Sequence, residues 1–163
     1  MIILGIDPGL AIVGWGVLDY SGSKFRVIGY GSLQTPAGMK TEDRLAAIYQ
    51  GMIQLIDTYH PEQMAVEELF FNTNITTGIR VAEARGVILL AGKQKNVALF
   101  EYTPLQVKQA VAGYGRADKK QVITMVTSLL RLKEPPKPDD TADALAIAVC
   151  HAHTGCSPLA AYY

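Results

Sequence analysis

Hydrophobic and polar positions along the 163-residue chain follow two different periods. Residues 2–7 (IILGID), 12–18 (IVGWGVL) and 25–33 (FRVIGYGSL) are short runs rich in Ile, Val and aromatic side chains, cut by Pro8-Gly9 and Ser21-Gly22-Ser23, and they predict three strands. Connections this short imply an antiparallel meander. From Thr41 to Tyr59 the apolar residues Leu45, Ile48, Tyr49, Met52, Ile53 and Ile56 recur at three- and four-residue steps behind Glu42 and Asp43, which predicts an amphipathic helix. Beyond Pro61, MAVEELF reads as a strand. Residues 75–95 keep helical spacing through Ile79, Ala82, Arg85, Gly86, Leu89 and Leu90 or Lys93, with small residues at Ala82, Gly86 and Ala91 suited to close backbone packing. Residues 97–102 predict a further strand. Thr103-Pro104-x-Gln106 supplies an N-cap, a proline at the first helical position and a reciprocal cap. Residues 113–116 form a loop, Asp118 caps a helix over 119–132, Pro135-Pro136-x-Pro138 forces an extended link, and 140–153 is the last helix. The order predicts an α/β fold, a five-stranded mixed sheet flanked by helices, as one domain over residues 1–163.

Composition narrows the function classes. Hydrophobic residues are 49% of the chain and charged residues 18%, with no low-complexity tract or internal repeat, so disorder and fibrous architectures are excluded and a buried core needs no staples. No apolar run approaches the roughly 20 residues of a membrane span, and MIILGIDPG has no basic leader, so a cytosolic location is expected. Cys150 and Cys156 do not form a disulfide framework. Net charge is zero, but residues 108–137 hold seven bases against two acids between flanking segments of net negative charge. The chain thus has a local basic segment although it is not globally basic.

Three acidic positions fall at element ends. Asp7 closes the first strand before Pro-Gly, where a plain turn aspartate is the ordinary reading. Glu67 and Glu68 end an apolar strand; alternation lets only one of them face a given neighbour, and periodicity does not choose between them. Asp139, Asp140 and Asp143 open the last helix. Asp140 suits a cap, whereas Asp143 is set among Ala142, Ala144, Leu145, Ile147 and Ala148 on a helix expected to pack against the sheet. Carboxylates crowded into one cleft stay partly protonated unless a cation neutralises them, and hard oxygen ligands select Mg²⁺ or Mn²⁺. A metal-assisted phosphoryl transfer, with a basic segment to hold a nucleic-acid backbone, is the chemistry that needs such a set.

IILGIDPGLAIVGWGV, AVEELFF, VAEARGVILLA, YTPLQVKQAVAGYGRADKKQV and DDTADALAIAVCHAH occur in this order, cover nearly the full chain, and closely resemble the bacterial Holliday junction resolvases of the RuvC family. The resemblance implies a ribonuclease H-like fold, a homodimer, dependence on one or two Mg²⁺ per subunit with Mn²⁺ as substitute, and cooperation with the RuvA and RuvB branch-migration proteins. It implies cleavage of four-way DNA junctions by paired symmetric nicks in strands of like polarity, in recombination and repair. The family's four acidic ligands fall on Asp7, on Glu67 as the first Glu of AVEELF, and on Asp140 and Asp143, which settles Glu67 against Glu68. Lys119 becomes a phosphate or transition-state contact, Lys108 a DNA contact, and Phe70 a wedge that stacks on an unpaired base. The ordinary readings are a solvated lysine and a core phenylalanine. Glu68 and Asp139 are further candidates for the metal, and Arg80, Arg85 and Lys120 for DNA.

Cys150, His151, His153 and Cys156 match no common zinc spacing and read as a plain helix end. Two rival functions stand beside the resolvase. A non-catalytic junction-binding module would use the acids only as caps, and an actin-like or sugar-kinase-like phosphate-binding lobe would use GIDPGLAIVGWG as its phosphate loop but lacks a second lobe.

Overall fold

A computed structural model of the chain describes residues 1–69 and 75–155. Within them β1 (Ile2–Asp7), β2 (Ile12–Ser21), β3 (Lys24–Gln34), β4 (Gln63–Glu67) and β5 (Ala98–Tyr102) form one mixed sheet in the order β3-β2-β1-β4-β5. β1, β2 and β3 pair antiparallel, as their short connections require, while β4 and β5 run parallel to β1. The helices are α1 (Thr41–Tyr59), α2 (Ile75–Gln94), α3 (Pro104–Ala112), α4 (Lys119–Leu129) and α5 (Asp139–Thr154).

Both faces of the central strands are buried, so their sequence is nearly all apolar rather than alternating. Leu4, Ile6, Met64 and Val66 point into a core shared with α1 and α2. Ile3, Leu18 and Ala65 point the other way, into a core built with α3, α4 and α5. α5 is the helix pressed hardest on the sheet. Its sequence is largely alanine, and the strands beneath it carry glycine: a Cβ on Gly14 would lie 1.9 Å from the Asp140 carbonyl oxygen, and one on Gly5 2.2 Å from that of Ala144. Backbone therefore meets backbone at the start of α5.

Several predicted boundaries shift. β4 ends at Glu67, short of the expected Phe70, because its neighbours β1 and β5 end at Asp7 and Tyr102. α4 stops at Leu129, three residues early, where Arg131 takes a left-handed φ of 52°. α2 buries Ala84, Ile88, Ala91 and Gly92, whereas Ile79 and Leu90 of the predicted stripe are each 50% exposed, and a Cβ on Gly86 would meet nothing within 4 Å. The helix has two apolar faces, and the more regular one points away from the core.

The expected plain end of α5 carries a buried network. His151 is fully buried, with Nδ1 2.7 Å from the Tyr102 hydroxyl and Nε2 2.5 Å from Gln63 Oε1. Because an amide oxygen only accepts, Nε2 donates to Gln63 and Nδ1 accepts from Tyr102. α5 is thereby tied to the first residue of β4 and the last of β5.

Gly14→Ala is expected to cost about 1–3 kcal/mol through overpacking against α5, a fall in melting temperature of roughly 3–10 °C for a chain of this size, read by a circular-dichroism melt. A melting temperature within 1 °C of wild type, by the same ~2–4 °C per kcal/mol scaling, would mean that α5 does not sit this close to β2.

Candidate active site

The carboxyl ends of parallel strands open where their chain leaves the sheet, and this crevice is the usual ligand position in such sheets. Asp7 ends β1 and Glu67 ends β4, side by side in the register that pairs Ile6 with Val66. The start of α5, held against Gly14, adds Asp140 and Asp143 from above. Neither acid caps by side chain: the N-cap is Pro138, and Asp140 lies inside the first turn.

The charges act on one another. Burial raises the Asp7 pKa well above the ordinary range, and Glu67, Asp143 and Asp140 raise it further, with Lys119 opposing. Glu67 is pushed up to about 7, first by burial and then by Asp143, against the pull of Lys108 and Lys119. Asp143 is raised by burial despite Lys119. Partial burial would lower the pKa of Lys119, but Asp143 above all holds it higher; its Nζ lies 3.2 Å from Asp143 and 3.8 Å from Asp139. The structure thus brings Asp7, Glu67, Asp140, Asp143 and Lys119 into one electrostatic unit.

Alternation sets Glu67 and Glu68 on different faces of the strand. Val66 belongs to the α1–α2 core, so Glu67 turns to the other face, where it lines a cleft of about 220 Å³ with Lys108, Lys119 and Asp143. Glu68 continues the ladder by donating its N–H to the Tyr102 carbonyl, and lines an adjoining cleft, which Glu67 shares, with Arg85 and Val81. Each lysine is set by a helix whose cap was legible: Thr103 and Gln106 cap α3 reciprocally, and Asp118 and Gln121 cap α4. Lys119 is therefore the first residue of its helix, where its side chain reaches toward α5.

Arg85, a DNA-contact candidate by sequence, is already engaged. Its Nε donates to the Glu67 carbonyl at 3.0 Å and its Nη2 pairs with Glu101 at 2.9 Å, so it holds the end of β4 in place. Arg80 and Lys120 are exposed. Phe70 lies outside the described residues. Cys150 is buried, its thiol pushed up to about 11 by burial, and among the described residues no Cys or His joins a metal cluster.

The donor set fits a hard divalent cation by chemistry. It is all oxygen, it carries more negative charge than the lysines balance, and burial raises the pKa of Asp7, Glu67 and Asp143, a cost that a bound cation would relieve. Among the described residues no three acids are already gathered at coordinating distance.

The raised pKa values fix the sign of a stability effect. A carboxyl that binds its proton more tightly folded than unfolded contributes stability below its ordinary pKa and loses it as pH rises through the folded value. With chelator present, Asp7→Asn is therefore expected to melt at least about 3 °C above wild type at pH 8, the equivalent of about 1 kcal/mol, with the difference shrinking toward pH 5. Equal melting temperatures across that range would show that Asp7 carries no uncompensated charge.

Comparison with known proteins identifies the family. Residues 3–151 match the family described as Crossover junction endodeoxyribonuclease RuvC. The protein of that name from Halothermothrix orenii is 60% identical over 154 residues, covering 94% of this chain and 93% of its own. The solved structure of Thermus thermophilus RuvC superimposes with a TM-score of 0.87 at 37% identity, covering 95% of each chain. That protein in complex with Holliday junction substrate superimposes with a TM-score of 0.86 at 35% identity, again over 95% of each chain. With sequence and backbone in agreement from end to end, the chain belongs to the RuvC family.

Proposed function

We propose that the chain is a Holliday junction resolvase, an endonuclease that hydrolyses phosphodiesters in four-way junction DNA by paired, symmetric nicks in strands of like polarity. The observation that carries this reading is the electrostatic coupling of Asp7, Glu67, Asp140 and Asp143 from three elements, beside the cleft that Lys108 and Lys119 line, in a member of this family. Residues 1–163 act as a single nuclease domain. No helix among the described residues is long and apolar enough to cross a membrane, and a DNA substrate places the protein in the cytoplasm.

Asp7, Glu67, Asp140 and Asp143 would hold one or two Mg²⁺, with Mn²⁺ as substitute. Bound there, the ion supplies a lowered pKa for water and charge stabilisation at phosphorus. The chain's own groups do the remaining work. Lys119, kept protonated by Asp143, faces the charge that builds on the phosphoryl oxygens, and Lys108 holds the strand from α3. Arg85 and the close seat of α5 keep the carboxylates at fixed distance, so little reorganisation is needed during hydrolysis. The products are a 5′-phosphate and a 3′-hydroxyl. Phe70 stacks on an unpaired base at the crossover, a role that rests on its place in AVEELFF.

A homodimer follows from the substrate's symmetry and from α2. Two identical sites related by a two-fold axis suit two equivalent scissile bonds. The outward stripe of Ile79 and Leu90, with Gly86 open between them, offers a self-complementary helix face on which two backbones can approach closely. RuvA and RuvB act with the dimer as the branch-migration proteins.

On a labelled synthetic four-way junction the wild-type chain is expected to give symmetric nicks with Mg²⁺ and none with EDTA, leaving linear duplex and single strands intact. Asp7→Asn should reduce cleavage at least about 1,000-fold, or roughly 4 kcal/mol, while junction affinity stays within about threefold. Binding without cuts by the wild type would favour a non-catalytic module, and indifference to junctions would remove the reading. Leu90→Glu should sediment as a monomer of 17.7 kDa rather than as a dimer and lose paired nicking. A variant that stays dimeric would move the interface elsewhere.

A further inference from the structure

We propose that a second cleft, beside the carboxylates on the opposite side from Lys108 and Lys119, is a subsite for a backbone phosphate of the same DNA strand, with Arg44 as its buried cation and Arg80 at its mouth. The inference rests on the nucleic-acid reading above. The cleft, of about 690 Å³, is bounded by the β1–β2 turn from Pro8 to Ile12, by Arg44 of α1, by Arg80 and Val81 of α2, and by Asp140. Arg44 is unusual for its setting. It is only 8% exposed, yet among the described residues no carboxylate lies within ion-pair distance of it, and a buried guanidinium ordinarily has one. It is held instead by one threonine: its Nε donates to Thr35 Oγ1 at 2.7 Å and its Nη2 to the Thr35 carbonyl at 3.4 Å. Thr35 is itself fixed, since its hydroxyl donates to the Leu10 carbonyl at 2.5 Å.

This is a rigid cation whose charge is left for something outside the protein. The guanidinium edge is oriented by neutral acceptors, so its position costs no flexibility on binding, and an incoming anion supplies the missing counter-charge. Arg80 adds a second positive charge at the rim. An isolated small anion would be repelled by Asp140 on the same wall; an anion carried on a polymer already anchored at Lys108 and Lys119 is not free to leave. The clefts also share walls. Pro8 and Val81 join this one to the cleft of Glu67 and Arg85, and Glu67 and Pro104 join that one to the cleft of Lys108, Lys119 and Asp143. A groove thus crosses the ends of β1 and β4 with cations at both ends and carboxylates between them, the charge order for one phosphate being cut while its neighbours on either side are held.

The test is junction binding in EDTA, where no cleavage occurs, as a function of salt, and with single neutral methylphosphonate linkages placed at each phosphate within three nucleotides of the cut on either side. For the wild type, one flanking linkage is expected to cost about tenfold in affinity. Arg44→Gln should show less than a twofold response at that same linkage, and a salt slope shallower by roughly 0.9, the value for one lost phosphate contact. A loss of fold would weaken binding at all linkages alike, so the matched linkage separates a contact from a structural effect. Because Arg44→Gln could fail to fold, Arg80→Gln, at an exposed position, is measured alongside; it should lose the response at the same linkage. If Arg80→Gln and any folded Arg44→Gln protein keep the wild-type slope and linkage profile, the subsite is refuted while the resolvase reading stands. A wild-type chain that does not bind the junction takes both down.

Discussion

The direct contact between the backbone of α5 and the glycines of β1 and β2 is the constraint on which the site depends. Two of the four acids ride on α5, two end strands of the sheet, and their separation is set by how closely helix and sheet approach. Ordinary side chains would hold a helix farther from a sheet. Glycine below and alanine above remove that spacing where Gly14 meets Asp140 and Gly5 meets Ala144. The same choice limits adjustment, since alanine has no rotamers with which to absorb a displaced backbone. A dense, nearly featureless interface is thus the means by which like charges are held together at a cost visible in the raised pKa values of Asp7, Glu67 and Asp143.

That arrangement also explains the positions of the cations. Lys119 opens a helix capped by Asp118, Lys108 sits on a helix capped by Thr103, and both caps fix where the helices begin. Neither lysine neutralises the cluster. They line one cleft beside it, and so leave the carboxylates under-compensated where a substrate backbone and a divalent cation would enter. Arg85 acts inside, on the Glu67 main chain, and its guanidinium also pairs with Glu101.

Much of this was legible in residue order. The meander, α1, the Thr103–Gln106 capping box, the Asp118 cap and the mixed five-stranded sheet follow from short-range patterns whose physics is local. The acids were legible as candidates, because a carboxylate at the end of an apolar strand or on an alanine-rich helix needs a reason, but their convergence was not, because it depends on the α5 contact. Periodicity could not separate Glu67 from Glu68; the face of Val66 does. α2 misled for a definite reason: it has two apolar faces, and spacing reveals a stripe without saying what covers it. Arg44 gave no sequence signal at all, as an arginine early in an amphipathic helix looks solvated until Thr35 is seen to hold it.

The far end of α5 adds a feature of opposite sign. His151, buried between Tyr102 and Gln63, has its pKa lowered to about 4 by burial, whereas Glu67 is raised to about 7. Folding therefore disfavours the protonated imidazole and the ionised carboxylate, one at each end of the same helix. As pH falls from the ordinary histidine value of 6.5 toward 4, the His151 site loses stability; as pH rises from the ordinary glutamate value of 4.5 toward 7, the Glu67 site loses it. The two windows overlap, and over the shared interval the two titrations act in opposite directions, with Asp7 and Asp143 on the side of Glu67. The helix that spans them is thus loaded from the strand ends on one side and from the imidazole on the other.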